Sequence, residues 1–212
     1  MLKKILPCLI LISVAIFPQS DSSLILSEVM FYPQSGPNEF IELYNTSETE
    51  SIDINSFKIK YYTSTADVII DAGEGTILPP KSFAVILEGD YIIGSGIYDS
   101  LIPAEALVVK ISDNSFGSTG MANTTSRQIW LINTADDTLE SYFYSANNTQ
   151  AHSDEKIILI KDSSQTNWAN SLVTDGTPGF GNSVTPVQYD LQMSSLTFQP
   201  IVLFEGNGFE II

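Results

Sequence analysis

Large apolar residues and single carboxylates alternate with turn formers along most of this chain, and the pattern is densest at Asn38-Glu39-Phe40-Ile41-Glu42-Leu43-Tyr44-Asn45. Read with a period of two, Ile41 and Leu43 face one way while Phe40 and Tyr44 face the other. Both faces are then apolar, which predicts a central strand covered on both sides. Glu42 shares a face with the two aromatic rings. A charge there needs a donor, a cation or an edge position, because burying it unpaired is costly.

The same reading runs along the rest of the chain. Leu24 to Tyr32 is a first strand with Glu28 among its apolar residues, ended by Pro33 and the turn-rich stretch to Pro37. Phe57, Ile59 and Tyr61 alternate with Lys58, Lys60 and Tyr62, a strand with one wet face. Short strands follow at Asp67–Asp71, Phe83–Leu87, Ala106–Ile111, Gln128–Ile132 and Leu139–Tyr144, and a last strong one at Glu155–Ile160. Pro79 and Pro80 belong to a turn or edge. Residues 88–103 and 114–126 read as loops. No helix of ten or more residues is predicted after the start of the chain. About nine short strands with Gly, Pro and Asn punctuation predict an all-β fold, a β-sandwich.

The first 22 residues change the picture of compartment. Lys3 and Lys4 precede an apolar run from Ile5 to Phe17, and Ser20 and Ser22 fit a small-residue cleavage pattern, so residues 1–22 read as a signal-peptide helix. The run is too short for a comfortable membrane span, and none is expected in the mature chain. Cys8, the only cysteine, lies inside it, which excludes thiol chemistry from the exported part. Residues 23–183 are expected to form the sandwich. Residues 184–212 read as a linker and the opening strands of a second, truncated β domain, with further domains beyond it.

Charge excludes one class of partner. The 212 residues hold 25 acidic and 9 basic groups, a net charge of -16; without Lys3, Lys4 and Asp21 the mature chain keeps 24 and 7. Phosphate backbones need a cationic stripe, and the basic residues are scattered, so direct nucleic-acid binding is not expected. Protein or polysaccharide surfaces are the expected partners.

Three separated pieces resemble the lamin tail domain family in its secreted bacterial form. The first is Ser27-Glu28-Val29 followed by Phe40-Ile41-Glu42-Leu43-Tyr44-Asn45. The second is Ile77-Leu78-Pro79-Pro80 before an apolar strand. The third is Ser153-Asp154-Glu155-Lys156, then Trp168 and Gly176-Thr177-Pro178-Gly179 with Asn182. Ser27 stands where the family usually has asparagine, and Phe40 where tryptophan is common. The resemblance covers residues 24–182 and implies an immunoglobulin-like sandwich, often found beside nuclease, protease or surface-anchoring modules. With no heptad run, no basic localisation stretch and a signal peptide, a nuclear filament role is not expected.

Candidate chemistry is sparse. Glu28 and Glu42 could meet if their strands are neighbours. They would then form either a calcium ligand set, since calcium takes six to eight oxygens, or a pair satisfied by loop amides or by Arg127, the only arginine. Residues 71–75 and 133–137 are acidic turns without the spacing of an EF-hand. His152-Ser153-Asp154 cannot be a triad, because neighbours on an extended chain point apart. Trp168 and Phe180 read as structural closure around the turn at Pro178 and Gly179, and Tyr61, Tyr62, Tyr91 and Tyr98 mostly as surface residues. The expectation is a non-catalytic extracellular module for adhesion, tethering or substrate presentation, with no cofactor. The alternatives are a calcium-dependent binding module, or the accessory domain of a secreted nuclease or protease.

Overall fold

The computed structural model describes residues 21–36 and 38–186; residues 1–20 of the expected signal peptide and residues 187–212 of the expected linker and second domain lie outside them. In chain order the strands are β1 (Leu24–Met30), β2 (Phe40–Asn45), β3 (Ile52–Asp53), β4 (Lys58–Tyr61), β5 (Asp67–Asp71) and β6 (Ile77–Leu78). They continue as β7 (Phe83–Leu87), β8 (Leu107–Ile111), β9 (Gln128–Ile132), β10 (Thr138–Phe143), β11 (Asp154–Lys156) and β12 (Trp168–Asn170). Ten of them form one sheet in the order β10-β9-β4-β5-β8-β7-β2-β1-β11-β12, while β3 and β6 pair separately. The β7–β8 pairing is parallel and every other is antiparallel.

That sheet curls until its ends meet. Tyr142 of β10 stacks on Trp168 of β12 at 3.7 Å between ring centroids, and the Leu26 amide of β1 donates to Glu140 of β10 at 2.6 Å. The result is an immunoglobulin-like β-sandwich. Its interior holds Ile41 and Leu43 from β2 with Ile59, Ile69, Ile86, Val109, Ile129 and Leu131, as the period-two reading of β2 requires.

The other face of β2 is covered by a loop, not a second sheet. Met30, Phe40, Val85 and Leu87 are roofed by Tyr91 and Tyr98 from residues 88–106. Tyr98 meets Phe40 edge-on at 5.0 Å, its hydroxyl donates to the Asn38 carbonyl at 2.6 Å, and Lys110 clamps the loop by donating to Gly89 at 2.9 Å. Tyr91 and Tyr98 are thus buried, contrary to the surface role expected of them. A large ring beside an uncovered apolar face is most stable against it.

A β-bulge in β1 decides which residues reach each face. Leu26 opposes Leu43, but Glu28 opposes Glu42, so Ser27 is an extra residue in the ladder. Before the bulge the even positions Leu24 and Leu26 enter the core; after it, the odd positions Val29 and Phe31 do. Glu28 therefore moves to the outer face beside Glu42.

Three further expectations need correction. The run Glu155–Ile160 is strand only to Lys156. Ile158 and Ile160 are more than half exposed, because the chain turns back until the Ile160 carbonyl accepts from Lys156 Nζ at 3.0 Å. Phe180 is also half exposed; Trp168 alone of the two closes the core. Among the described residues there are twelve strands against about nine expected, the additions being the short β3, β6 and β12.

Candidate functional site: a buried glutamate row and its closing loop

Register places three glutamates side by side across three strands: Glu42 on β2 faces Glu28 on β1, which faces Glu155 on β11. All three are fully buried. Glu155 was not singled out in the sequence beyond its place in a strand motif. Ser-x-Glu at 153–155, echoing Ser-Glu at 27–28, was the signal that could have found it.

Hydroxyls and backbone amides satisfy the row, with Thr177 and Gly179 of the Gly-Thr-Pro-Gly loop at 176–179 among the donors. Glu42 accepts from Ser27 Oγ at 2.7 Å, a contact the bulge makes available, and from the Gly179 amide at 2.5 Å. Glu28 accepts from Ser153 Oγ at 2.5 Å and the Thr177 amide at 2.9 Å. Glu155 accepts from Ser183 Oγ at 2.7 Å and the Val184 amide at 3.1 Å. Asn182 Nδ2 donates to the bulge carbonyl of Ser27 at 2.9 Å and to Lys156 O at 2.8 Å, tying β1 to β11. Asn45 ends β2 in a similar way, donating to Glu50 O at 2.8 Å and Pro79 O at 3.0 Å.

The positions of Gly176 and Gly179 demand glycine. Both have positive φ, +73° and +84°. A Cβ on Gly176 would lie 2.1 Å from Glu28 Oε1, and one on Gly179 would lie 2.6 Å from Pro103 Cδ. Pro178 between them is buried and fixes φ, which narrows the conformations open to the loop before it closes.

Thr177 Oγ1 bridges two carboxyls of the row, 3.2 Å from Glu28 Oε2 and 3.0 Å from Glu155 Oε1. A hydroxyl has one hydrogen to give, so a proton on one of these carboxyls, donated back to Oγ1, would complete the set. Burial first, and the neighbouring Glu155 second, push Glu28 up to about 8. Burial and Glu28 raise Glu42 well above the ordinary carboxylate range, although the Gly179 and Ser27 donors pull the other way. Elsewhere burial and Glu88 push Glu39 to about 9, and burial pushes Glu88 to about 7.

These shifts fix the sign of a pH effect. Folded-state values raised above 4.5 mean that the folded chain keeps protons the unfolded chain has released. The stability they contribute is fully present below about 4.5 and is lost as pH rises through about 7 to 9. Each such proton costs about 1.4 kcal/mol per pH unit between about 4.5 and its own folded-state value, and nothing further above it. Urea midpoints are expected to fall from pH 5 to pH 9, less steeply in Glu42→Gln, which keeps the shape of the neutral acid. Midpoints that climb over this range would contradict the account.

Each oxygen of Glu28 and Glu42 lies within hydrogen-bonding distance of a hydroxyl or an amide, so a hard cation entering the row would have to compete with those contacts. Among the described residues no group of three or more His, Cys, Asp or Glu is arranged to hold a metal ion. A calcium titration by calorimetry is expected to give no heat that Glu42→Gln removes. Arg127 is not their partner; its guanidinium lies over the Tyr62 ring at 4.4 Å.

The His152-Ser153-Asp154 run points three ways. His152 Nδ1 lies 3.2 Å from Gln150 O, Ser153 serves Glu28, and Asp154 accepts from the Tyr142 hydroxyl at 2.7 Å and from Ser145. A second buried feature, unforeseen from sequence, sits inside the sandwich, where Lys156 forms an ion pair with Glu140 beneath Trp168.

A family model described as Lamin Tail Domain matches residues 18–174. No curated protein matches the chain. That match spans well over half of the sequence and includes β1, β2, β11 and β12, the strands that carry the acid row and the core tryptophan. The chain belongs to the lamin tail domain family.

Proposed function

We propose that this domain is a non-catalytic binding and tethering module of an exported protein. The observation that carries the reading is the complete engagement of its acidic and hydroxyl groups around the glutamate row. Side chains that could do acid–base or nucleophilic work are spent on closing the sandwich. What remains for function is the surface presented by loops on a rigid scaffold. The family supplies the binding or structural character, and the lysine-led apolar leader supports the extracellular setting.

Among the described residues no helix is long and apolar enough to cross a membrane. The experiment is co-sedimentation of the mature chain with insoluble cell-envelope material, beside a hydrolase screen. Sedimentation without turnover is expected. Turnover that disappears in His152→Ala would replace this reading with an enzymatic one.

A further inference from the structure

Tyr62 has a backbone conformation that a bulky residue rarely takes. Its φ is +47°, in the left-handed region that costs an L-residue about 1–2 kcal/mol. The amide is held there by the Gln128 carbonyl at 2.8 Å. The consequence is a tyrosine ring turned out of the sheet and 46% exposed, with one face covered by Arg127.

Beside this ring opens a cleft of about 540 Å³, between the β4–β5 turn and the loop after β8. Its floor is Asp67, 1% exposed, whose Oδ2 accepts from the Gly117 amide at 2.8 Å. The exposed Asp113 carboxyl lies against Asp67, and Thr63, Ser64, Ser118 and Thr119 bring hydroxyls to the walls. The walls are preformed: the Ala122 amide donates to the Tyr61 hydroxyl at 2.8 Å, and Ser64 Oγ to the Tyr61 carbonyl at 2.5 Å.

We propose that this cleft binds a neutral glycan chain, with Tyr62 stacking on a sugar ring and Asp113 accepting its hydroxyls, while the buried Asp67 fixes the cleft wall through the Gly117 amide. An aromatic face matches the apolar face of a pyranose, and a carboxylate acceptor beside rotatable hydroxyls matches its alternating O–H groups. Anionic chains are disfavoured by the two carboxylates and by the acidity of the whole chain. The inference rests on the binding-module reading and names its ligand class.

The test is calorimetry of the mature chain with cellohexaose, maltohexaose and N-acetylchitohexaose, with polygalacturonate as the anionic control. At least one neutral probe is expected to bind, with affinity falling tenfold or more in Tyr62→Ala and several-fold in Asp113→Asn. Tyr62→Gly separates binding from folding, because glycine accepts the positive φ. It is expected to hold the melting temperature while losing the ligand. No binding by any neutral probe, or binding that survives Tyr62→Ala, overturns the proposal. Envelope sedimentation that persists in Tyr62→Ala would leave the module reading standing and remove only this cleft.

Discussion

Lys156→Ala is expected to destabilise the domain by about 3–5 kcal/mol, the usual cost of leaving one partner of a buried ion pair alone. The pair is almost fully out of water, at 0% and 1% side-chain exposure, and Lys156 also donates to Ile160 O and lies over Trp168. Glu140 does more than balance charge. Its Oε2 accepts from the Leu26 amide at 2.6 Å and its Oε1 from the Asp162 amide at 3.1 Å, so it joins β10 to β1 and to the turn after β11. An apolar replacement of both residues would orphan those amides at about 1–3 kcal/mol each. The double variant Glu140→Gln with Lys156→Met keeps an acceptor and removes both charges, and is expected to lie closer to wild type than either single change. Urea denaturation of wild type, Lys156→Ala, the two single changes and the double variant checks this. A single-variant cost below about 1 kcal/mol would show that water reaches the pair.

Gly176→Ala is the second large effect, expected at about 3–5 kcal/mol. The positive φ accounts for about 1–2 kcal/mol. The rest comes from a methyl placed 2.1 Å from Glu28 Oε1 and 2.9 Å from Ser153 Oγ, which must push the loop off the acid row and cost donors to buried carboxyls. Gly181→Ala, with nothing within 4 Å of its Cβ, is the control and is expected within about 0.5 kcal/mol of wild type. Thermal or urea unfolding that ranks the two equally would mean that the loop does not close the sandwich.

Much of the fold was legible because alternation at two-residue spacing survives wherever one face is buried. β5, β7 and β9 start and stop at the residues the pattern indicates, and Ile41, Leu43 and Phe40 lie on the faces it assigns them. Legibility failed where contacts between distant segments decide. Nothing local to Leu24-Ile25-Leu26-Ser27-Glu28 announces a bulge, yet the bulge puts Glu28 beside Glu42. The apolar run after Lys156 continues strand-like in composition, but a lysine donating to its own downstream carbonyl turns the chain away. Tyr91 and Tyr98 sit in a glycine-broken loop without two-residue alternation, which hides that it covers Phe40. The acid row was half visible: two glutamates in apolar strands were conspicuous, but apart from Ser27 the donors that satisfy them lie more than a hundred residues away.

That separation has a kinetic consequence. Glu28 and the Thr177 amide that serves it are 149 positions apart, and Glu42 waits for Gly179, 137 positions downstream. A chain emerging from its amino end can pair β1 with β2 early, but their carboxyls stay wet until nearly the whole domain has appeared. Closing so long a loop is slow, and the half-built sheet meanwhile shows an open edge where β11 will later dock. Completion of the domain is therefore timed by its last segment, and a chain interrupted before Gly176 is left without its clasp.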